Sequence, residues 1–408
     1  MAPAPATATY LDHAASTPLR PEALEAMLPF LADHPGNPSG GHAAARHARR
    51  AVDDARDAVA ALAGCAPGEV VFTSGGTEAD ATALRGAVDT RPGALVVGAV
   101  DHHAVLDGAR AAARLAGRPL EVVPVDGRGR LDLDALAAAL GRAAEGAVAL
   151  VAVGLANNEV GTVQPLDEVA AVVAALAPGT PLHTDAVQAG AWLDLPTAAA
   201  PAGLVALSAH KLGGPKGVGA LVARDGVALE PLLHGGGQER GRRSGTPNVA
   251  GIVGFGVAAR LVVEQRPALA ARVAAQRDRL AEGLVAALAP LAPGTRETVV
   301  APGGSRDHVL PGHLHLCLPG VAADEVLFLL DQAGVAASAG ASCSSGATET
   351  SHVLAGLGVD RAAAAGSLRL TLGWSTTDDD VDRALAAVPA AVARVAGVAP
   401  PLASGASR

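Results

Sequence analysis

From about residue 42 the chain alternates short apolar runs of strand length with Ala-rich stretches of helical periodicity, and few folds accept that order. The runs are Val70–Thr73, Ala94–Val100, Leu120–Val125, Ala147–Gly154, Leu182–Asp185, Leu204–Ser208 and Val218–Ala223. Strands that are apolar throughout are buried on both faces. The pattern therefore predicts an α/β fold with a mostly parallel seven-stranded sheet covered by helices. Before the first run, a helical stretch carries Val52, Ala55, Val59 and Leu62 on one face and stops near Gly64. After about residue 260 the character changes. A long helical stretch from Val257 to Leu288 meets a Pro/Gly-rich junction, and the sparser elements beyond it predict a smaller α+β domain. The expected division is a large domain over 19–261 and a small one over 1–18 and 262–408, with disordered tails at both ends.

Charge and cysteine content narrow the function. A net charge of −9 argues against a nucleic-acid or anionic-membrane surface. The basic cluster Arg46, Arg49 and Arg50 is followed by Asp53, Asp54 and Asp57, as on a solvated helix face. No stretch approaches the roughly 20 apolar residues that span a bilayer, and the first residues show neither a basic nor an apolar signal region. Three cysteines, Cys65, Cys317 and Cys343, cannot build a disulfide framework and suit a reducing compartment. A cytoplasmic protein is expected.

Lysine usage is the sharpest chemical clue. Lys and Arg total 31, yet the only lysines are Lys211 and Lys216. A lysine kept where arginine serves everywhere else suggests a task that needs a deprotonatable primary amine, such as forming an imine; chance survival is the alternative. Lys211 follows the run Leu204–Ser208, which places it at the C-terminal end of a strand, where open α/β sheets bind ligands. Lys216 lies in a Gly/Pro turn that lacks the Walker spacing. An imine-forming cofactor such as pyridoxal 5'-phosphate (PLP) needs a carboxylate at its ring nitrogen, and Asp185 at a strand end is the candidate, a helix cap being the plainer reading. Gln188, three residues on, could reach the ring hydroxyl. The turn Thr73-Ser74-Gly75-Gly76-Thr77-Glu78 between a strand and a helix offers backbone N–H groups to a phosphate.

Several motifs then occur in a recognisable order: YLDHAASTP, GNPSG, FTSGGTEAD, DHHAVLD, NNEVGTVQP, HTDAVQAG, SAHKLGGPKGVGAL, GGGQERGRRSGTPNVAGI, SCSSG, SHVL and SLRLTLGWSTTDDDVD. Together they resemble the cysteine desulfurases of the class V aminotransferase family, fold-type I PLP enzymes, from Tyr10 to about Asp382. The resemblance implies that Lys211 holds PLP as an imine and removes the substrate α-proton. His102 would stack on the ring, Asp185 would pair with its nitrogen and Gln188 with its hydroxyl, and Asn158 would sit near the cofactor. Gly76, Thr77, Ser208 and His210 would hold the phosphate. Thr246 would reach the phosphate of a neighbouring subunit, which implies a homodimer with shared sites. Arg369 and Asn37 would bind the substrate, the arginine through its carboxylate. Cys343, which on residue type alone could be a small buried hydrophobe, would take the sulfur of L-cysteine as a persulfide, release L-alanine and pass the sulfur to an acceptor protein.

Some positions depart from the common family pattern. His13 stands where many members have Asn, Gly76 where Ala is frequent, ASCSS where SACTS is commoner, and Trp374 where well-known members carry Arg. The acceptor therefore stays open between an iron–sulfur scaffold, thiolated tRNA, a sulfur carrier and a biosynthetic enzyme. Other functions compatible with the pattern are a different PLP enzyme of this fold, an aminotransferase or a selenocysteine lyase, and an inactive scaffold. His313, His315 and Cys317 share one face of an alternating strand, but no carboxylate accompanies them and no metal is expected.

Overall fold

The computed structural model describes residues 9–144, 147–340 and 351–397. The expected tails at 1–8 and 400–408 lie outside these residues, as does Cys343. The chain forms two compact units. The larger comprises Ser16–Asn158 and Thr162–Ala268; the smaller comprises Met1–Ala15, Glu159–Gly161 and Leu269–Arg408.

The sheet of the larger unit uses seven strands: β1 Val70–Thr73, β2 Ala94–Gly98, β3 Leu120–Val123, β4 Val148–Ala152, β5 Leu182–Asp185, β6 Leu204–Ser208 and β7 Gly219–Ala223. Their spatial order is β1-β7-β6-β5-β4-β2-β3. Neighbours from β6 to β3 run parallel, while β7 is antiparallel to both β6 and β1. Helices α1 (Ala43–Ala63), α2 (Gly76–Thr90) and α3 (His103–Ala116) belong to the same unit. Against the sheet residues Leu95, Val97, Leu150, Leu204 and Leu221, α2 and α3 pack Leu84, Val105 and Leu106 together with Ala79, Ala83, Ala87 and Ala109, all buried. Alanine is what lets two helices approach one sheet closely, so an aromatic-poor chain still fills its interior.

Helix α1 buries Val52, Ala55, Val59 and Leu62, while Arg46, Arg49, Arg50, Asp53, Asp54 and Asp57 are exposed. It stops at Gly64, whose left-handed φ of 64° and close approach to Pro196 exclude a side chain. The long helix α4 spans Val249–Leu288, starting eight residues before the periodicity suggests. The extension runs through Gly251, Gly254 and Gly256, a composition that reads as loop. The glycines are packing devices: a Cβ on Gly256 would lie 2.6 Å from Ala55 Cα, and one on Gly254 2.5 Å from Met27 Sδ.

In the smaller unit, strands β8 (Arg296–Glu297), β9 (His313–Cys317) and β10 (Ser367–Thr371) form an antiparallel sheet with β9 in the centre. Helices α5 (Ala323–Gln332) and α6 (Asp378–Val395) pack together in this unit, and Thr9–Tyr10 pairs in parallel with Val335–Ala336. Among the described residues no helix is long and apolar enough to cross a membrane.

Candidate active site

The C-terminal ends of the parallel strands carry Lys211 and Asp185, with His102 shortly after another strand. Lys211 closes a short 3-10 turn, Ala209–Lys211, directly after β6. The turn is pinned from the N-terminal segment: Thr17 donates through its backbone N–H (2.9 Å) and its hydroxyl (2.8 Å) to the His210 carbonyl. Arg20 Nε donates to the Leu212 carbonyl at 3.3 Å, and a Cβ on Gly213 (φ 86°) would strike the Arg20 side chain at 2.7 Å. Lys211 is half-buried and Lys216 is exposed. His210 is pushed down to about 4, first by burial and then by the charges of Lys211 and Lys216. Its Nδ1 lies 3.2 Å from Ser16 Oγ.

Asp185 ends β5 and accepts the Val187 N–H at 2.9 Å. Gln188 follows in the same turn, half-buried. Helix α2 begins beside them. A Cβ on Gly76 would stand 2.7 Å from Val187 Cγ2 and 3.6 Å from Ser208 Cβ, and one on Gly219 would meet Gly75 at 2.7 Å. These close approaches bring the α2 N-terminus against the ends of β6 and β7, with Ser208 buried and Thr77 exposed. The free N–H groups of a helix start favour an anion there. Thr246 is exposed and lines one cleft with Thr73, Ser74, Gly217 and Arg243. Arg243 is itself paired with Glu78 at 2.9 Å.

His102 caps α3, its Nδ1 accepting the Ala104 N–H at 3.1 Å. Asp101 before it ties two strand ends together by accepting the N–H groups of Gly98 and Gly154, each at 2.9 Å. Burial, aided by the charges of Asp185 and Asp80, pushes Asp101 up to about 7. Asn158 is half-buried, next to Asn157, whose amide donates to the Val100 carbonyl at 2.9 Å. Asn37 is exposed and orders its own loop by accepting the Ser39 N–H at 3.0 Å.

Sequence reading missed a buried pair beneath this edge. His183 Nε2 lies 2.9 Å from Asp80 Oδ1, with side chains 0% and 1% exposed. His183 shares a strand face with Asp185, two residues on. Burial and the Asp185 charge push Asp80 well above the usual carboxylate range, while burial takes His183 down to about 4. A histidine spaced by two from Asp185, on the same face of the strand Leu182–Asp185, was the available signal.

In the smaller unit, Arg369 lies on β10, 2% exposed, and its Nη2 donates to Asp12 Oδ1 at 2.8 Å. His13 packs edge-on against Tyr10, and burial takes it down to about 4. His315 lies between two hydroxyls, Thr298 Oγ1 at 2.6 Å and Ser367 Oγ at 2.9 Å. Thr298 Oγ1 also lies 3.4 Å from Cys317 Sγ. Among the described residues no group of three or more His, Cys, Asp or Glu side chains is arranged to hold a metal ion. Burial pushes the thiols of both described cysteines up, Cys65 to about 11, the opposite of an activated nucleophile.

The geometry and the relatives agree on the class. The chain belongs to the aminotransferase class-V family, which matches residues 9–384. It is 42% identical over 405 residues to an IscS-like cysteine desulfurase of Mycobacterium tuberculosis, covering 98% of this chain and 100% of that one. Among solved structures, a NifS-like protein superposes with a TM-score of 0.85 at 32% identity, covering 95% of this chain and all of that one. A structure described as SspA in complex with cysteine gives 0.75 at 30% identity, covering 90% and 99%.

Proposed function

We propose that this protein is a PLP-dependent cysteine desulfurase that converts L-cysteine to L-alanine and holds the released sulfur on Cys343. The observation that carries the reading is the convergence of an amine, a carboxylate and a helix N-terminus, from Lys211, Asp185 and Gly76–Thr77, at one edge of the sheet. That donor set fits an aldehyde cofactor bearing a basic ring nitrogen and a phosphate, and the side-chain-free approach at Gly75–Gly76 supports a phosphate there. When bound, PLP acts as an electron sink for the bonds at the substrate α-carbon.

The chain's own groups divide the remaining work. Lys211 holds the cofactor covalently and moves the α-proton. Asp185 would keep a proton on the ring nitrogen of bound PLP, Gln188 would serve its hydroxyl, and His102 and Asn158 would bind its ring. Gly76, Thr77, Ser208 and His210 hold the phosphate, and Thr246 serves that of a second subunit in a homodimer. Arg369 and Asn37 bind the amino acid. The Cys343 thiolate attacks the substrate sulfur; the carbon–sulfur bond breaks, its electrons and a proton remain with the three-carbon product, and the sulfur stays as a persulfide for an acceptor protein. Such chemistry suits a reducing cytoplasm, where the cysteines remain thiols. The acceptor is a sulfur-receiving protein, with iron–sulfur cluster assembly the pathway that the IscS-like relative's name suggests.

The test is alanine formation from L-cysteine by PLP-loaded protein and by Cys343→Ala. Alanine from the unsubstituted protein alone is expected. Equal alanine from both would leave a PLP lyase without a thiol nucleophile, and transamination without alanine would overturn the reading.

A further inference from the structure

At one end of the strand order, β1 has a neighbouring strand, β7, on one side only among the described residues. Its outer edge is taken up by two side chains. Arg56 on α1 donates through Nη1 to the Val70 carbonyl at 2.7 Å, and Glu239 Oε2 accepts the Phe72 N–H at 3.0 Å. The two also grip each other: Arg56 Nη1 and Nη2 donate to Glu239 Oε2 and Oε1 at 2.8 and 2.7 Å. Their side chains are 8% and 7% exposed, and the guanidinium lies over the Phe72 ring, 4.7 Å from its centre. A two-bonded arginine–carboxylate pair fixes direction as well as distance, and burial spares it much of the screening by salt.

Glu239 holds this place in an unfavourable backbone form. Its φ is 50°, and Arg240 after it has φ 57° and ψ 35°. Two successive left-handed residues with side chains are uncommon and persist where their surroundings over-determine them. Here the loop closes on itself. The Gly245 N–H donates to Gln238 Oε1 at 2.9 Å, the Gly237 N–H to Ser244 Oγ at 3.3 Å and the Ser244 N–H to the Leu233 carbonyl at 3.0 Å. From this loop Arg243 reaches the start of α2. Its Nε donates to Glu78 Oε1 at 2.9 Å and its Nη2 to Ser74 Oγ at 3.1 Å, while Glu78 Oε2 accepts the Ser74 N–H at 2.8 Å. Ser74 and Glu78 flank Gly75–Thr77, the turn assigned to the phosphate. Bonded contacts therefore lead from Arg56 through Glu239 and its loop to both ends of that turn.

We propose that Glu239, held by Arg56, is a positioning residue for the phosphate-binding turn, fixing the loop from which Arg243 sets Ser74 and Glu78. The inference rests on the PLP reading, and its test separates the two. Full-length protein freed of cofactor is titrated with PLP and with pyridoxal, which lacks the phosphate, and imine formation is followed by absorbance. In Glu239→Ala the Kd for PLP should rise at least about tenfold, as loss of a hydrogen bond to a charged group does. The Kd for pyridoxal should stay within about twofold. Glu239→Gly, which adopts a positive φ freely, should weaken PLP as well, because the carboxylate and not the backbone form makes the tie. Arg56→Lys keeps the charge without the two-bonded fork and should lose less than Glu239→Ala. Adding Arg243→Ala to Glu239→Ala should cost little beyond the larger single effect, since both act along one path. If Glu239→Ala fails to fold, Arg56→Lys and Glu239→Gln carry the test, each with a loss confined to PLP.

An unchanged Kd for PLP in folded Glu239→Ala, or full PLP affinity in Glu239→Gly, would overturn the proposal while leaving the PLP reading intact. Equal losses for PLP and pyridoxal would also overturn it, marking the pair as a general support of the fold. Failure of the unsubstituted protein to form an imine with either aldehyde would remove the reading and the proposal together.

Discussion

In the larger unit, three carboxyl groups, Asp80, Asp101 and Asp185, lie within electrostatic range of one another at the ends of the parallel strands, with His183 as the imidazole among them. The smaller unit instead pairs its buried polar groups locally: Arg369 with Asp12, His315 with Thr298 and Ser367, Glu159 with Ser351. Buried like charges raise each other's proton affinity, and such a cluster is tolerable where a cationic partner completes it. On the proposed reading, the protonated ring nitrogen of PLP at Asp185 would be such a partner. The smaller unit needs none, and its hydrogen bonds act as mounts. On that reading the larger unit's cluster would receive a charged group, while the smaller unit's hydrogen bonds tie neighbouring segments together.

The largest expected effect comes from Lys211→Arg, which keeps the positive charge and removes the imine-forming amine. Alanine formation should fall by at least about 10²–10⁴-fold, and borohydride should no longer fix cofactor to the chain. Retained activity would show that charge, and not the amine, matters at the strand edge. Next in size is the buried pair. His183→Ala leaves the buried Asp80 without its partner and should destabilise the protein by about 1–3 kcal/mol in urea unfolding; a neutral result would mean that the pair adds nothing to stability.

The subtlest prediction separates Asp101 from His315 by pH. Asp101 has its folded pKa raised from 3.8 to about 7, so the folded state binds more protons between those values. Its contribution is present at low pH and lost as pH rises from about 4 to 7. His315 has its folded pKa lowered from 6.5 to about 3 by burial and by Arg369. Its contribution is present above 6.5 and lost as pH falls toward 3. His183 and His210 in the larger unit act in the same direction as His315. Asp101→Asn should flatten a decline in stability between pH 4 and 7, and His315→Gln should flatten a rise, each by up to a few kcal/mol. Identical pH profiles for both variants would erase the contrast between Asp101 and His315.

Where one face or both faces of an element are apolar, sequence reading reached the structure closely. Leu204–Ser208 is a strand with those bounds, and Lys211 follows it. Rarity exposed the lysine, spacing from Asp185 suggested Gln188, and the motifs of the resemblance suggested His102 and Thr246. What stayed hidden depends on contacts made only after folding. Asp80, Asp101 and Glu159 look like ordinary charged residues until His183 comes to the first, Gly98 and Gly154 to the second and Ser351 to the third. The first turns of α4 hid because glycines chosen for close packing imitate a loop. Strand direction in β7 is likewise a property of the assembled sheet, since it runs against both neighbours.

The most direct test of the account is to treat PLP-loaded protein with one equivalent of L-cysteine, without an acceptor, and locate the sulfur by peptide mass. The account predicts one extra sulfur on the peptide containing Cys343, in step with alanine released, and none on Cys65 or Cys317. Alanine with no sulfur on Cys343, or sulfur on another cysteine, would contradict it.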